Sequence, residues 1–171
     1  MASPELMGQE YDDLNTFRTK AKKDLAAINS CLQSLYDRVD EISIVLDEII
    51  NYSYGFNLKL IGLPELNPDS KETAKDTTNL VVKIFNKMGA DVTLKDIDIV
   101  HRVPSRSKDS SQPKPIICKF VRRLAKEEVM SRRKEISRVD AAEVGLSGSA
   151  DLGNAALLDH LPPKTQILLH S

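Results

Sequence analysis

One heptad register runs unbroken from Tyr11 to Phe56, and it narrows the choice of folds more than any other feature of the chain. The a positions are Tyr11, Arg18, Leu25, Leu32, Val39, Leu46 and Ser53, and the d positions are Leu14, Ala21, Ile28, Leu35, Ile42, Ile49 and Phe56. Alternating steps of three and four residues place them on one stripe of a helix. No Pro or Gly falls between Gly8 and Gly55. A helix of about 45 residues is roughly 65 to 70 Å long at 1.5 Å per residue, too long to fold back on so small a domain. The stripe predicts a coiled coil over residues 11–56, with residues 1–10 disordered before it.

The seam chemistry bears on strand number. Leu predominates at a, and Ile recurs at d, which disfavours a parallel dimer and favours three or four strands. The flanking e and g positions Cys31, Tyr36, Val45, Ile50 and Tyr52 widen the apolar face. The expectation is a homo-oligomer, a parallel trimer ahead of a tetramer, joined through Leu25, Ile28, Leu32, Leu35, Val39, Ile42, Leu46 and Ile49. Arg18 at a either fixes register or marks a frayed end. The alternative is a helix that packs antiparallel on another protein.

The formal net charge of −1 conceals an asymmetry. Residues 1–56 carry 5 Lys and Arg against 10 Asp and Glu, residues 57–139 carry 18 against 11, and residues 140–171 carry 1 against 4. A basic middle between acidic ends points to a polyanionic partner. Two cysteines and three histidines, none at metal-ligand spacing, indicate neither a disulfide framework nor a zinc site, and no cofactor is expected. Glu5, Glu10, Asp12 and Asp13 exclude a secretory signal, and no run approaches the ~20 apolar residues that span a bilayer. A reducing, cytoplasmic setting follows, with the nucleus also open.

The middle third reads as an α+β unit. Asn57 to Leu63 is a short strand closed by Gly62 and Pro64. Asp69 and Glu72 have capping-box spacing. The helix that follows shows Ala74, Val81, Ile84, Phe85 and Met88 on one face and ends at Gly89. Ile97 to Val103 alternates as a second strand, Ser105 to Lys114 is a polar loop, and Pro115 to Val121 is a third strand. Arg123 to Arg138 reads as a second helix with Leu124, Val129 and Ile136 inward. The order β-α-β-β-α needs one more strand for a ferredoxin-like split βαβ sandwich, and Ala155 to Leu158 is the candidate, after an irregular stretch from Gly145 to Asn154. In that topology the first and third strands pair at the centre. Leu58, Leu60, Ile116, Cys118 and Phe120 then face the helices, and Lys59, Ile61, Ile117 and Lys119 the open side. Two lysines there either meet an anion or merely keep an open face soluble.

From His101 to Arg138 the chain carries twelve Lys and Arg against four acids. Guanidinium pairs and a basic loop supply charge-assisted contacts to phosphates. Lys126 and Lys134 read instead as solvated helix positions partnered by Glu127, Glu128 and Glu135. The central strands offer a single aromatic, Phe120, on the buried parity. Binding to single-stranded RNA or DNA would then be dominated by the backbone and weakly selective. No Gly-rich phosphate loop, no His–carboxylate pair at motif spacing and no nucleophile signature is present, so neither an enzyme nor a small-molecule substrate is expected.

The heptad helix, then NLKLIGLPE, DIDIVHRVPSR and PKPIICKFVRRLAKEEVMSRRKEI, resembles the first-open-reading-frame RNA-binding protein of LINE-type non-LTR retrotransposons. The resemblance covers roughly residues 11 to 165, and HRVPSR and PIICKF are its most specific parts. It implies a parallel coiled-coil trimer, an RNA-recognition-motif (RRM)-like domain over 57–160, and a ribonucleoprotein-forming nucleic-acid chaperone without catalytic activity. It implies that His101, Arg102 and Arg106, with Lys119, Arg122, Arg123, Arg132 and Arg133, contact nucleic acid, joined by Lys59 from the strand reading. It also implies that residues 161–171, where Pro162 and Pro163 open a helix, begin a truncated C-terminal domain. If truncation silences the RNA site, a coiled-coil protein-interaction scaffold is the alternative function.

Overall fold

The computed structural model describes residues 3–66, 72–104 and 112–169. The protein is α+β and divides into two compact units, Met1–Glu48 and Ile49–Ser171.

The first unit is helix. Helix α1 spans Pro4–Tyr54 and contains no buried residue. It starts seven residues before the register does, so Pro4 to Glu10 are helical rather than disordered. The cause is local: Pro4 occupies the first helical position, and the Ser3 hydroxyl and carbonyl both accept from Leu6 N–H. The expected seam residues Leu25, Ile28, Leu32, Leu35, Val39, Ile42, Leu46 and Ile49 are 46 to 67% exposed along this helix. An exposed apolar stripe of that length is uncommon on a monomeric chain. At its other end α1 stops at Tyr54, before the last predicted d residue. Phe56 lies past the turn at Gly55, its ring edge-on to Tyr52 at 5.2 Å and its carbonyl accepting from Phe120 N–H.

The second unit is built on four antiparallel strands. They are β1 (Asn57–Ile61), β2 (Ile97–Arg102), β3 (Ile116–Phe120) and β4 (Ala156–Asp159), in the order β2-β3-β1-β4. As expected, β1 and β3 form the centre, and the fourth strand falls within one residue of its predicted place. Between the strands lie α2 (Ala74–Lys87), a 3-10 turn (Leu94–Asp96), α3 (Arg123–Ser131), a second 3-10 segment (Arg133–Arg138) and α4 (Ala141–Val144). Helix α5 (Pro163–Leu169) follows β4, opening at the predicted Pro162-Pro163 pair. Leu58, Leu60, Ile116, Cys118 and Phe120 are all buried and form one core with Val81, Ile84, Phe85 and Val129. Phe85 stacks on Phe120 at 5.8 Å. Burial pushes the Cys118 thiol far up, so it is inert.

Four local expectations are corrected. Asp69 lies outside the described residues, and α2 is capped by Thr73, whose side chain pairs reciprocally with Asp76. Glu72 turns instead toward Thr77, Leu66 and Arg102. Ala74, in the first turn, is exposed, and Thr77 takes the buried place on that face. The second helix breaks after Ser131, where Arg132 N–H reaches back only three residues to the Val129 carbonyl and the chain continues as 3-10 helix. Finally, Leu124 is 81% exposed while Lys126 is buried. The buried arc of α3 is Ala125, Lys126, Val129 and Met130, and a helix step of about 100° leaves Leu124 outside it. Lys126 is drawn in by Asp159 of β4, 2.6 Å away, not by the glutamates of its own helix.

Candidate nucleic-acid interface

Side chains alternate across a strand, so the helix-facing parity of β1 and β3 leaves Asn57, Lys59, Ile61, Ile117 and Lys119 on the other face. The registers then assemble that face. His101 pairs with Ile117, Ile117 with Lys59, and Lys59 with Leu158, one row across all four strands. The next row is Ile99, Lys119 and Asn57. Ile117 keeps the predicted parity, yet it is only 6% exposed, between Lys59 and His101 in the register. Lysine stems and imidazole rings cover apolar neighbours while leaving their polar tips in water.

Strand β2 owes its place in this face to an irregularity. Ile97 pairs with Phe120 and Ile99 with Lys119, so Asp98 is an extra residue on the β2 side. Such a bulge shifts the parity of all that follows. Ile99 and His101 are thereby turned out, and Arg102 is turned in beside the buried Ile116.

Of the predicted binding residues, Lys59, His101 and Lys119 are therefore brought together. Neither Lys59 nor His101 makes an ion pair among the described residues. Lys119 reaches Asp98 at 3.1 Å, and both side chains are well exposed. An exposed pair of that kind is worth about 0 to 1 kcal/mol, so Asp98 holds Lys119 only weakly. Arg122 and Arg123 lie where β3 passes into α3. Arg122 grips the buried carboxylate of Asp96, though most of its own side chain is exposed. Thr93 N–H and then Arg122 hold the Asp96 carboxyl below the ordinary range. Arg123 stands beside Gly55 with Glu127 at 3.9 Å, a loose pair. Arg132 lies against Gly89 at the end of α2, and Arg133 is exposed one residue on, at the far end of α3. Arg106 lies outside the described residues.

Arg102 is different. Its guanidinium is 9% exposed and meets Glu72, itself 7% exposed. Nε donates to both carboxylate oxygens at 3.2 Å, Nη1 to the carbonyls of Leu63 and Lys114, and Nη2 to that of Pro64 at 2.7 Å. This is a clamp inside the domain rather than a hand held out to a ligand. It borders a cavity of about 380 Å³ lined by Glu65, Glu72, Thr77, His101 and Lys114.

Sequence reasoning passed over one corner of the face. Tyr54, the last residue of α1, and His160, the first after β4, set their rings 5.1 Å apart and tilted by 56°. Asn57 Oδ1 and His160 Nδ1 are buried without a hydrogen-bond partner. The alternation of β1 marks Asn57, but His160 depends on the exact end of β4, which short irregular sequence does not give.

No protein-family model matches this chain, and no curated protein matches it. Among the described residues no group of His, Cys, Asp and Glu could hold a metal ion, and no helix is long and apolar enough to cross a membrane.

Proposed function

We propose that this protein binds single-stranded nucleic acid, RNA in the first place, without catalysing a reaction, and that it does so as a coiled-coil homo-oligomer. The second unit is read as an RRM-like domain: four antiparallel strands ordered β2-β3-β1-β4, with helices against one face, match the split βαβ pattern. The observation that carries the reading is the row His101, Ile117, Lys59 and Leu158 with Lys119 beside it. It places Lys59, without an ion pair among the described residues, the weakly paired Lys119 and the exposed Leu158 on one sheet face. Phosphates supply the affinity on such a surface, and flat bases can lie on its apolar parts.

The resemblance to first-open-reading-frame proteins of LINE-type elements supports the same reading and suggests ribonucleoprotein assembly as its purpose. The seam of α1, none of whose residues is buried, supports a parallel trimer of these units. Weak single-site grips along one strand then combine through effective concentration.

The test is the pair Lys59→Ala and Lys119→Ala, made together in the full chain. Each lost phosphate contact should weaken binding to an oligouridylate, together by about tenfold at low salt, with the same factor for other sequences. Thermal unfolding should be unchanged within a degree or two, because neither lysine is in the core. Unaltered affinity would move the site elsewhere.

A further inference from the structure

We infer that the Tyr54–Asn57–His160 corner is a nucleobase subsite, in which a base stacks on the tilted aromatic pair and meets Asn57 and His160 with its polar edge. The inference rests on the proposed nucleic-acid function and adds a base contact to a face otherwise read as phosphate-binding.

Four observations converge on this corner. The first is aromatic surface. The central strands hold one aromatic ring, Phe120, and it is buried against Phe85. Tyr54 and His160 supply what those strands lack, and both are half-buried rather than enclosed. The second is position. Asn57 lies opposite Lys119, and β1–β4 pairing runs to Leu58 and Asp159. One further step of the same register sets His160 across from Asn57. The corner thus lies between Lys119, the partner of Asn57, and Lys59, two residues along β1, the cations that would hold the phosphates on either side of a base.

The third is unused hydrogen-bonding capacity. Buried polar atoms almost always have partners, and those that do not call for an explanation. Here two such atoms, Asn57 Oδ1 and His160 Nδ1, belong to neighbouring residues. Both atoms lie just below the surface, so a base edge meets this carbonyl oxygen and imidazole nitrogen once the two side chains turn outward. The fourth is charge state. Burial, and then the electrostatic influence of nearby Lys59, His101 and Lys126, push the His160 imidazole below its ordinary value. The ring is therefore neutral at physiological pH, able to stack as an uncharged aromatic and to leave one ring nitrogen as an acceptor.

The experiment compares three fluorescent oligomers of equal length on the full chain: oligouridylate, oligothymidylate and an abasic sugar-phosphate strand. A single stacked base is sequence-tolerant and worth about tenfold in affinity. Both base-bearing strands should bind about tenfold tighter than the abasic one. The double substitution Tyr54→Leu with His160→Leu should abolish the difference, whereas His160→Phe, which keeps a ring, should retain most of it. Equal binding of all three strands by the unaltered chain would overturn the subsite and leave the phosphate-binding reading intact. Failure to bind any of them would overturn both. A preference for bases that survives loss of both rings would place base contact elsewhere and also overturn the subsite.

Discussion

Replacing Leu35 and Ile42 together by Asp should convert an oligomer into single chains and cut the affinity for a long RNA by roughly 10² to 10⁴. Both residues are d positions of α1, one heptad apart, 52 and 67% exposed on the isolated chain. In a parallel bundle each would sit in a hole formed by four residues of the neighbouring helix. A carboxylate there must be desolvated without a partner, at several kcal/mol for each copy. In a trimer that penalty recurs in every chain, so two substitutions suffice. The second unit should be untouched, because its core contains no residue of the seam. Sedimentation reads the first effect and filter binding the second. Short oligonucleotides that engage one unit should lose little affinity, which separates avidity from damage to the site. A chain that remains oligomeric after both changes would show that the helix associates through another face.

The clamp between Glu72 and Arg102 gives the second large effect. Arg102→Ala leaves a buried carboxylate without its counter-charge, and breaking such a pair costs about 3 to 5 kcal/mol. For a unit of this size that lowers the melting temperature on the order of 10 to 20 °C. Four segments come apart with it, since the guanidinium ties the chain after β1, the start of α2, the end of β2 and the approach to β3. Replacing both residues, as Glu72→Leu with Arg102→Met, should cost less than Arg102→Ala alone, because no lone charge remains.

The same clamp has a pH signature. Burial raises the Glu72 carboxyl, but the Thr77 hydroxyl, Arg102 and Leu66 N–H outweigh it, and the net shift is downward from 4.5. A carboxyl depressed in the folded state contributes stability that is complete above its unfolded pKa and is lost as pH falls through the folded one. Melting temperature should therefore fall with acidification below about pH 4.5, more steeply than in the Leu/Met pair variant.

These two effects also show what the sequence could and could not convey. The seam is legible because a heptad is a local, repeating signal that needs no knowledge of the rest of the chain. The strand order is legible because β1, β3 and the turn residues around them are strongly marked. The resemblance places Arg102 among the binding residues, in a basic motif at the end of a strand. Its inward direction follows from the bulge at Asp98, and no composition rule announces one extra residue in a ladder. Leu124 and Lys126 changed places for a similar reason. Helical period alone cannot tell that Asp159, thirty-three residues on, waits for an ammonium group. Tyr54 and His160 are joined only by tertiary structure, so the corner they form could not be read from either segment alone.

The reading as a whole stands on cations of the open sheet face exchanging counter-ions for phosphate. Its most direct test is the affinity of the full chain for an oligouridylate, measured by anisotropy across a series of salt concentrations. The two phosphate contacts per unit assigned to Lys59 and Lys119 predict a log–log slope of about −1.4 for a single strand, and about 0.7 less for each of these lysines removed. A slope near zero, or no binding at the lowest salt, would contradict it.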